Sequence, residues 1–105
     1  MNSRLFIESV EPGAVTLTDS AKFMEGNRAM LGAADVGALL RVLSEHRSEM
    51  KSADGDFEIA RAHGDQPYAF MGRICGAEFG MPVSYAHLLK CALEGVALAV
   101  ARTRT

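Results

Sequence analysis

The sequence predicts an α+β fold: a small antiparallel sheet of four to six short strands packed against two helices, in the order ββ(ββ)α-ββα. Three observations carry this reading. Short segments alternate apolar and polar residues with the period of a strand, two longer segments repeat with the period of a helix, and Gly- and Pro-bearing turns separate them.

The chain has 105 residues, the size of one ordinary domain, so it reads as a single α+β domain over 1–105. Leu, Ile, Val and Phe together make 25 of the 105 residues, above the roughly 20% below which a chain tends to remain disordered.

Leu5–Val10 and Ala14–Thr18 read as a first hairpin around Glu11-Pro12-Gly13. Proline presets φ for such a turn and glycine tolerates positive φ. Val15 and Leu17 alternate with Thr16 and Thr18, which places the two threonines on the solvent side. Phe6 and Val10 fall on the face opposite Leu5 and Ile7. Lys22–Met24 and Arg28–Leu31 fit a second hairpin around Glu25-Gly26-Asn27.

Asp35–Met50 has helical spacing, with Val36, Leu39, Leu40, Leu43, His46 and Met50 on one face. Asp35 suits the positive end of the helix dipole, and Asp54-Gly55 turns the chain afterwards. Phe57–His63 and Tyr68–Cys75 read as two further strands joined by Gly64-Asp65-Gln66-Pro67. Pairing His63 with Tyr68 sets Arg61 opposite Phe70 and Phe57 opposite Ile74. Gly76 and Gly80 are expected to turn the chain into the last helix, which Met81-Pro82 opens. In that helix His87, Lys90 and Glu94 form a narrow polar stripe. Tyr85, Leu88, Leu89, Cys91, Leu93, Val96, Leu98 and Val100 cover nearly all the rest. Such a helix is expected to be buried on most sides, either centrally in the fold or in a subunit interface. Gly95, with Ala92 and Ala99 on the same side, suggests that another backbone passes close by. The order of elements also invites a reading as two sheet-helix units, although the two halves differ in spacing.

Charge and composition bear on function chiefly by exclusion. With 11 basic and 13 acidic residues the formal net charge is −2, against the basic excess by which nucleic-acid modules gain most of their affinity. Arg102 and Arg104 suit the negative end of the last helix. No apolar stretch reaches the ~18 residues of a membrane span, and a glutamate stands where a signal peptide has its apolar core. The expected location is therefore cytoplasmic, with Cys75 and Cys91 as reduced thiols.

Three constellations carry chemistry. Arg61, His63, Asp65 and Tyr68 cluster at the second-half hairpin. There an arginine suits a carboxylate or phosphate, and a histidine oriented by Asp65 or Tyr68 suits proton transfer; ordinary hairpin-tip polarity is the simpler reading. His87 and Cys91 share a helix face at a spacing used by zinc ligands. With Cys75 they still lack a close-spaced cysteine pair, and no metal or cofactor is expected. Gly72, Gly76 and Gly80 lack the lysine and hydroxyl of a phosphate loop. These readings point to a non-enzymatic protein-protein interaction domain: a regulator, inhibitor or assembly factor of a larger complex. Self-association is expected through Leu89, Leu93, Val96 and Val100 of the last helix. The alternative is a small-molecule- or anion-binding, or catalytic, domain using Arg61 and His63.

Overall fold

The computed structural model describes residues 5–11, 13–19, 28–44, 49–64 and 68–103, without the side chains of Asp19, Val100 and Thr103. The chain forms β1 (Leu5–Glu11), β2 (Ala14–Asp19), β3 (Arg28–Gly32) and α1 (Ala33–Leu43), then β4 (Glu49–Lys51), β5 (Phe57–Arg61), β6 (Phe70–Ile74), β7 (Ala77–Met81) and α2 (Val83–Thr103). The class is the expected α+β. The strands, however, make two antiparallel sheets rather than one, β1-β2-β3 and β4-β5-β6-β7. Each half of the chain is thus a meander followed by a helix. The expected strand Lys22–Met24, its turn Glu25-Gly26-Asn27, Pro12 and Asp65 lie outside the described residues.

In the first sheet, Glu11 pairs with Ala14 across a turn in which Gly13 adopts φ +85°. Leu5, Val15, Leu17, Ala29 and Leu31 face the core. Phe6 and Val10 are both exposed, but they do not share the face that simple alternation gives them. The register shifts between Ile7 and Ser9, so Val10 pairs with core-facing Val15, while Phe6 pairs with Thr18 and its ring meets Tyr85 of α2 edge-on at 6.4 Å. Thr18 departs from the expectation. It is fully buried, and its hydroxyl has no hydrogen-bond partner among the described residues.

α1 ends earlier than its apolar spacing suggests. The Ser44 amide donates to the Leu40 carbonyl at 2.9 Å and the Ser44 hydroxyl to the Arg41 carbonyl at 3.2 Å. Met50 belongs instead to β4, where it pairs with Ile59 and points inward. A seven-residue separation from Leu43 satisfies a helix face, yet the same residue fits the inward position of a three-residue strand. Residues 45–48 lie outside the described set.

The second sheet keeps the expected register, with Arg61 opposite Phe70 and Phe57 opposite Ile74. The strand expected to run over Tyr68–Cys75 is shorter, Phe70–Ile74, and it is followed by β7, where Gly76 and Gly80 suggest a turn into the last helix. The two-residue link Cys75-Gly76 has φ +50° and +87°, the paired positive values a type I′ hairpin requires. Cysteine is an uncommon residue there, which hides the hairpin from a sequence reading. In β7, Phe79 and Met81 point into the core, and the Phe79 ring stacks on Phe57 at 5.9 Å. Gly72, opposite Phe79 in register, makes room for that ring: a Cβ on Gly72 would lie 2.6 Å from Phe79 Cζ.

Both sheets and both helices share one core, with α1 touching strands of each sheet. α2 contributes Ala86, Leu89 and Leu93 to it, with Tyr85 and Val96 packed at its margin. The helix is therefore buried along one stripe, not on most sides as expected.

Candidate functional site

Arg61 ends β5 on the inward face of its sheet, where the guanidinium carbon lies 5.6 Å from the centroid of the Phe70 ring. His63 is exposed beyond the end of β5. The Tyr68 ring occupies the opposite face of the sheet, over Gly80, where a Cβ would come within 2.6 Å of Tyr68 Cδ2. Arg61 and Tyr68 thus lie on opposite sides of the sheet, and the expected hairpin-tip cluster does not converge among the described residues.

Arg61 meets different neighbours. It lines a cleft of about 260 Å³ together with His87 and Lys90 of α2, Leu43 and Ser44 at the end of α1, and Phe70. The floor is apolar and the rim carries three nitrogen bases. His87 and Lys90 are i and i+3 on α2, so they stand over one another on the flank of the helix. The sequence shows them as part of its polar stripe; that β5 brings Arg61 to that stripe is a long-range consequence of the fold.

His87 Nε2 and Cys91 Sγ are 3.9 Å apart. Cys75 sits on the β6–β7 turn instead, with its thiol 2.7 Å from the Arg28 carbonyl. Among the described residues no group of three or more potential metal ligands forms.

A larger concavity of about 790 Å³ covers the outer face of the four-stranded sheet. Three of its five charged side chains meet in register, Arg73 lying 3.9 Å from Glu58 and 3.8 Å from Glu78. Arg73 is thereby compensated across the strands on both sides.

Of the residues expected at an interface, Leu89 and Leu93 are buried in the core of this chain, and Val96 is half-buried. The Val100 side chain is outside the described set. Val96, Ala97 and Ala101 line an apolar groove against Val36, Gly37 and Leu40 of α1. The start of α2 meets the end of α1 in the basic cleft, so the two helices run antiparallel. What α2 turns to solvent is a different stripe: Leu88, Cys91, Ala92, Gly95, Leu98 and Ala99 are all exposed. Leu88 is 65% and Leu98 55% accessible. A Cβ on Gly95 would meet nothing within 4 Å, so among the described residues no backbone passes close to it.

The described residues form an α+β domain of two meander-helix units, with a cleft lined by Arg61, His87 and Lys90 and an apolar helix face directed outward. Comparison with protein-family models, curated proteins and solved structures finds no match to this chain. No described helix is long and apolar enough to cross a membrane.

Proposed function

We propose that this protein acts by binding protein, in the first instance a second copy of itself, through the outward face of α2. In this reading it is a non-enzymatic regulator, inhibitor or assembly factor of a larger complex. The observation that carries the reading is the exposed stripe Leu88–Cys91–Ala92–Gly95–Leu98–Ala99, which holds no charged residue. A solvated helix face is ordinarily polar. Here the small residues between the two leucines let a second backbone approach, and a twofold axis would bring the same stripe of both copies together.

Magnitudes favour a reversible contact. Leu88 and Leu98 are 65% and 55% accessible, so covering the exposed part of these four side chains, two from each copy, contributes roughly 4–7 kcal/mol, near the low end of an association cost of about 4–15 kcal/mol. A weak dimer whose population rises with concentration is the expected behaviour.

Cys91 lies on the proposed face and Cys75 does not, and both thiols are exposed. Alkylation rates of the two therefore form an internally controlled test. Cys91 is expected to react more slowly as protein concentration rises, with Cys75 unchanged. Equal concentration independence of both rates would count against self-association through α2.

A further inference from the structure

α2 carries two metal-ligating side chains one turn apart on its solvent side. His87 and Cys91 stand at i and i+4, both are exposed, and His87 Nε2 lies 3.9 Å from Cys91 Sγ. Zinc binds thiolate sulfur at about 2.3 Å and imidazole nitrogen at about 2.0–2.1 Å, so a tetrahedral ion shared by such a pair sets its two ligand atoms about 3.6 Å apart. The pair already stands close to that separation. Among the described residues no third ligand joins it, and Cys75 lies instead on the β6–β7 turn, its thiol 2.7 Å from the Arg28 carbonyl. A structural zinc ion takes four protein ligands. One chain therefore holds half a site.

The place of the pair on α2 shows where a second half can come from. Leu88, Cys91, Gly95 and Leu98 follow one another at spacings of three, four and three, the seam along which two helices pack side by side. Cys91 lies in this seam and His87 borders it. A twofold axis along the seam would set Cys91 against Cys91 of a second copy, flanked by the two His87 rings. The surrounding charge suits a dication. Lys90, which lines the neighbouring cleft with His87 and Arg61, is paired with Glu94 at 3.7 Å. Two thiolates neutralise the ion once each thiol has released its proton to solvent.

We infer that His87 and Cys91 of two copies hold one zinc ion between them, in a two-cysteine, two-histidine site that neither copy completes alone. The inference rests on the self-association proposed above and adds what would make a weak contact lasting. An ion that binds only the dimer, free at about 100 times its Kd, tightens association about 100-fold.

The test is titration of the full, untagged and reduced chain with cobalt(II), whose tetrahedral thiolate complexes are coloured, followed by displacement with zinc. One cobalt per two chains is expected, with a thiolate charge-transfer absorption that zinc abolishes. His87→Ala and Cys91→Ser alter exposed positions, so both should fold and lose the absorption, while Cys75→Ser should keep it. Sedimentation of the same chains in chelator and in zinc should show the wild-type dimer tightened by zinc about 100-fold and both variants indifferent to it. Absence of the thiolate absorption, one cobalt per chain, an absorption that survives Cys91→Ser or His87→Ala, or a dimer indifferent to zinc would overturn the inference. Sedimentation in chelator alone judges the underlying association: a chain that dimerises there without binding cobalt keeps the association and loses the zinc site. A chain that pairs only around the metal keeps the zinc site and loses the metal-free contact.

Discussion

Ser52 holds the β4–β5 hairpin through a single buried hydroxyl. That hydroxyl donates to Asp54 Oδ1 at 2.7 Å and accepts the amide of Phe57 at 3.0 Å. The Asp54 carboxylate also accepts the Asp56 amide at 3.0 Å. The Asp56 amide first, and the Ser52 hydroxyl second, hold the Asp54 carboxyl below the usual carboxylate range. Because the folded value is depressed, this contribution is present above the unfolded value of about 3.9 and is lost as pH falls through the folded one. Asp54→Asn is accordingly expected to flatten the acid limb of the stability curve in urea melts between pH 5 and 2, each limit being about a unit wide. Ser52→Ala leaves the buried Phe57 amide without its acceptor and is expected to lower stability by about 1–3 kcal/mol at neutral pH. Thr18 presents the opposite case. Its hydroxyl is buried and unpartnered among the described residues, so Thr18→Val should raise stability by about 1 kcal/mol in the same melts. At this scale the sequence showed Asp54-Gly55 as a turn. It did not show that Thr18 is buried, because a threonine that alternates with Val15 and Leu17 looks like any solvent-facing strand residue. Arg61 was legible as the inward-facing end of β5 opposite Phe70, whereas the placement of the Tyr68 ring over Gly80, on the other face of the sheet, was not.

At the scale of elements, β6 and β7 depend on an exchange of volume. Gly72 has no side chain where Phe79 needs room, and the Phe79 ring in turn stacks on Phe57. A methyl group at Gly72 would also press on the Glu58 carbonyl of the neighbouring strand, so neither side can yield cheaply. Gly72→Ala is expected to cost about 1–3 kcal/mol or more, as overpacked cores do, and thermal melts will read it as a clear drop in midpoint. The same glycines explain why β7 was hard to foresee. Gly72, Gly76 and Gly80 look like breakers, yet only Gly76 makes a turn. Gly72 and Gly80 lie inside strands and clear space for aromatic rings. α1 shows a related ambiguity: Leu43 and Met50 fit one helix face, but Ser44 caps the chain between them and the rest of the apolar pattern serves β4. Segments with several turns of helical spacing or strict alternation were readable, as in α2 and the β5–β6 register. A three-residue strand and a two-residue Cys-Gly hairpin carry too few residues to establish a period.

For the whole molecule, the question is what covers α2. The helix spans 21 residues, about 31 Å, while α1 has 11 and spans about 16 Å. A single core of this chain takes only one stripe of α2, through Ala86, Leu89 and Leu93. The sequence posed the alternatives of a central helix and an interface helix, and periodicity alone does not separate them, since both need an apolar helix. The exposure of Leu88 and Leu98 and the open space at Gly95 remove the central arrangement and leave an apolar face directed outward. Substitutions divide accordingly. Leu93 is fully buried, and Leu93→Asp is expected to unfold the domain, because an unpaired charge in the core costs more than a small domain has to spare. Leu88→Asp and Leu98→Asp place a charge on an accessible surface, so both variants should fold, and both should lose association. Sedimentation equilibrium of the wild type and of Leu98→Asp, from micromolar to millimolar concentration, reads this most directly. A wild type passing from monomer to dimer, beside a folded Leu98→Asp that stays monomeric, is the predicted result; a wild type that remains monomeric throughout, or a Leu98→Asp variant that still dimerises, would contradict it.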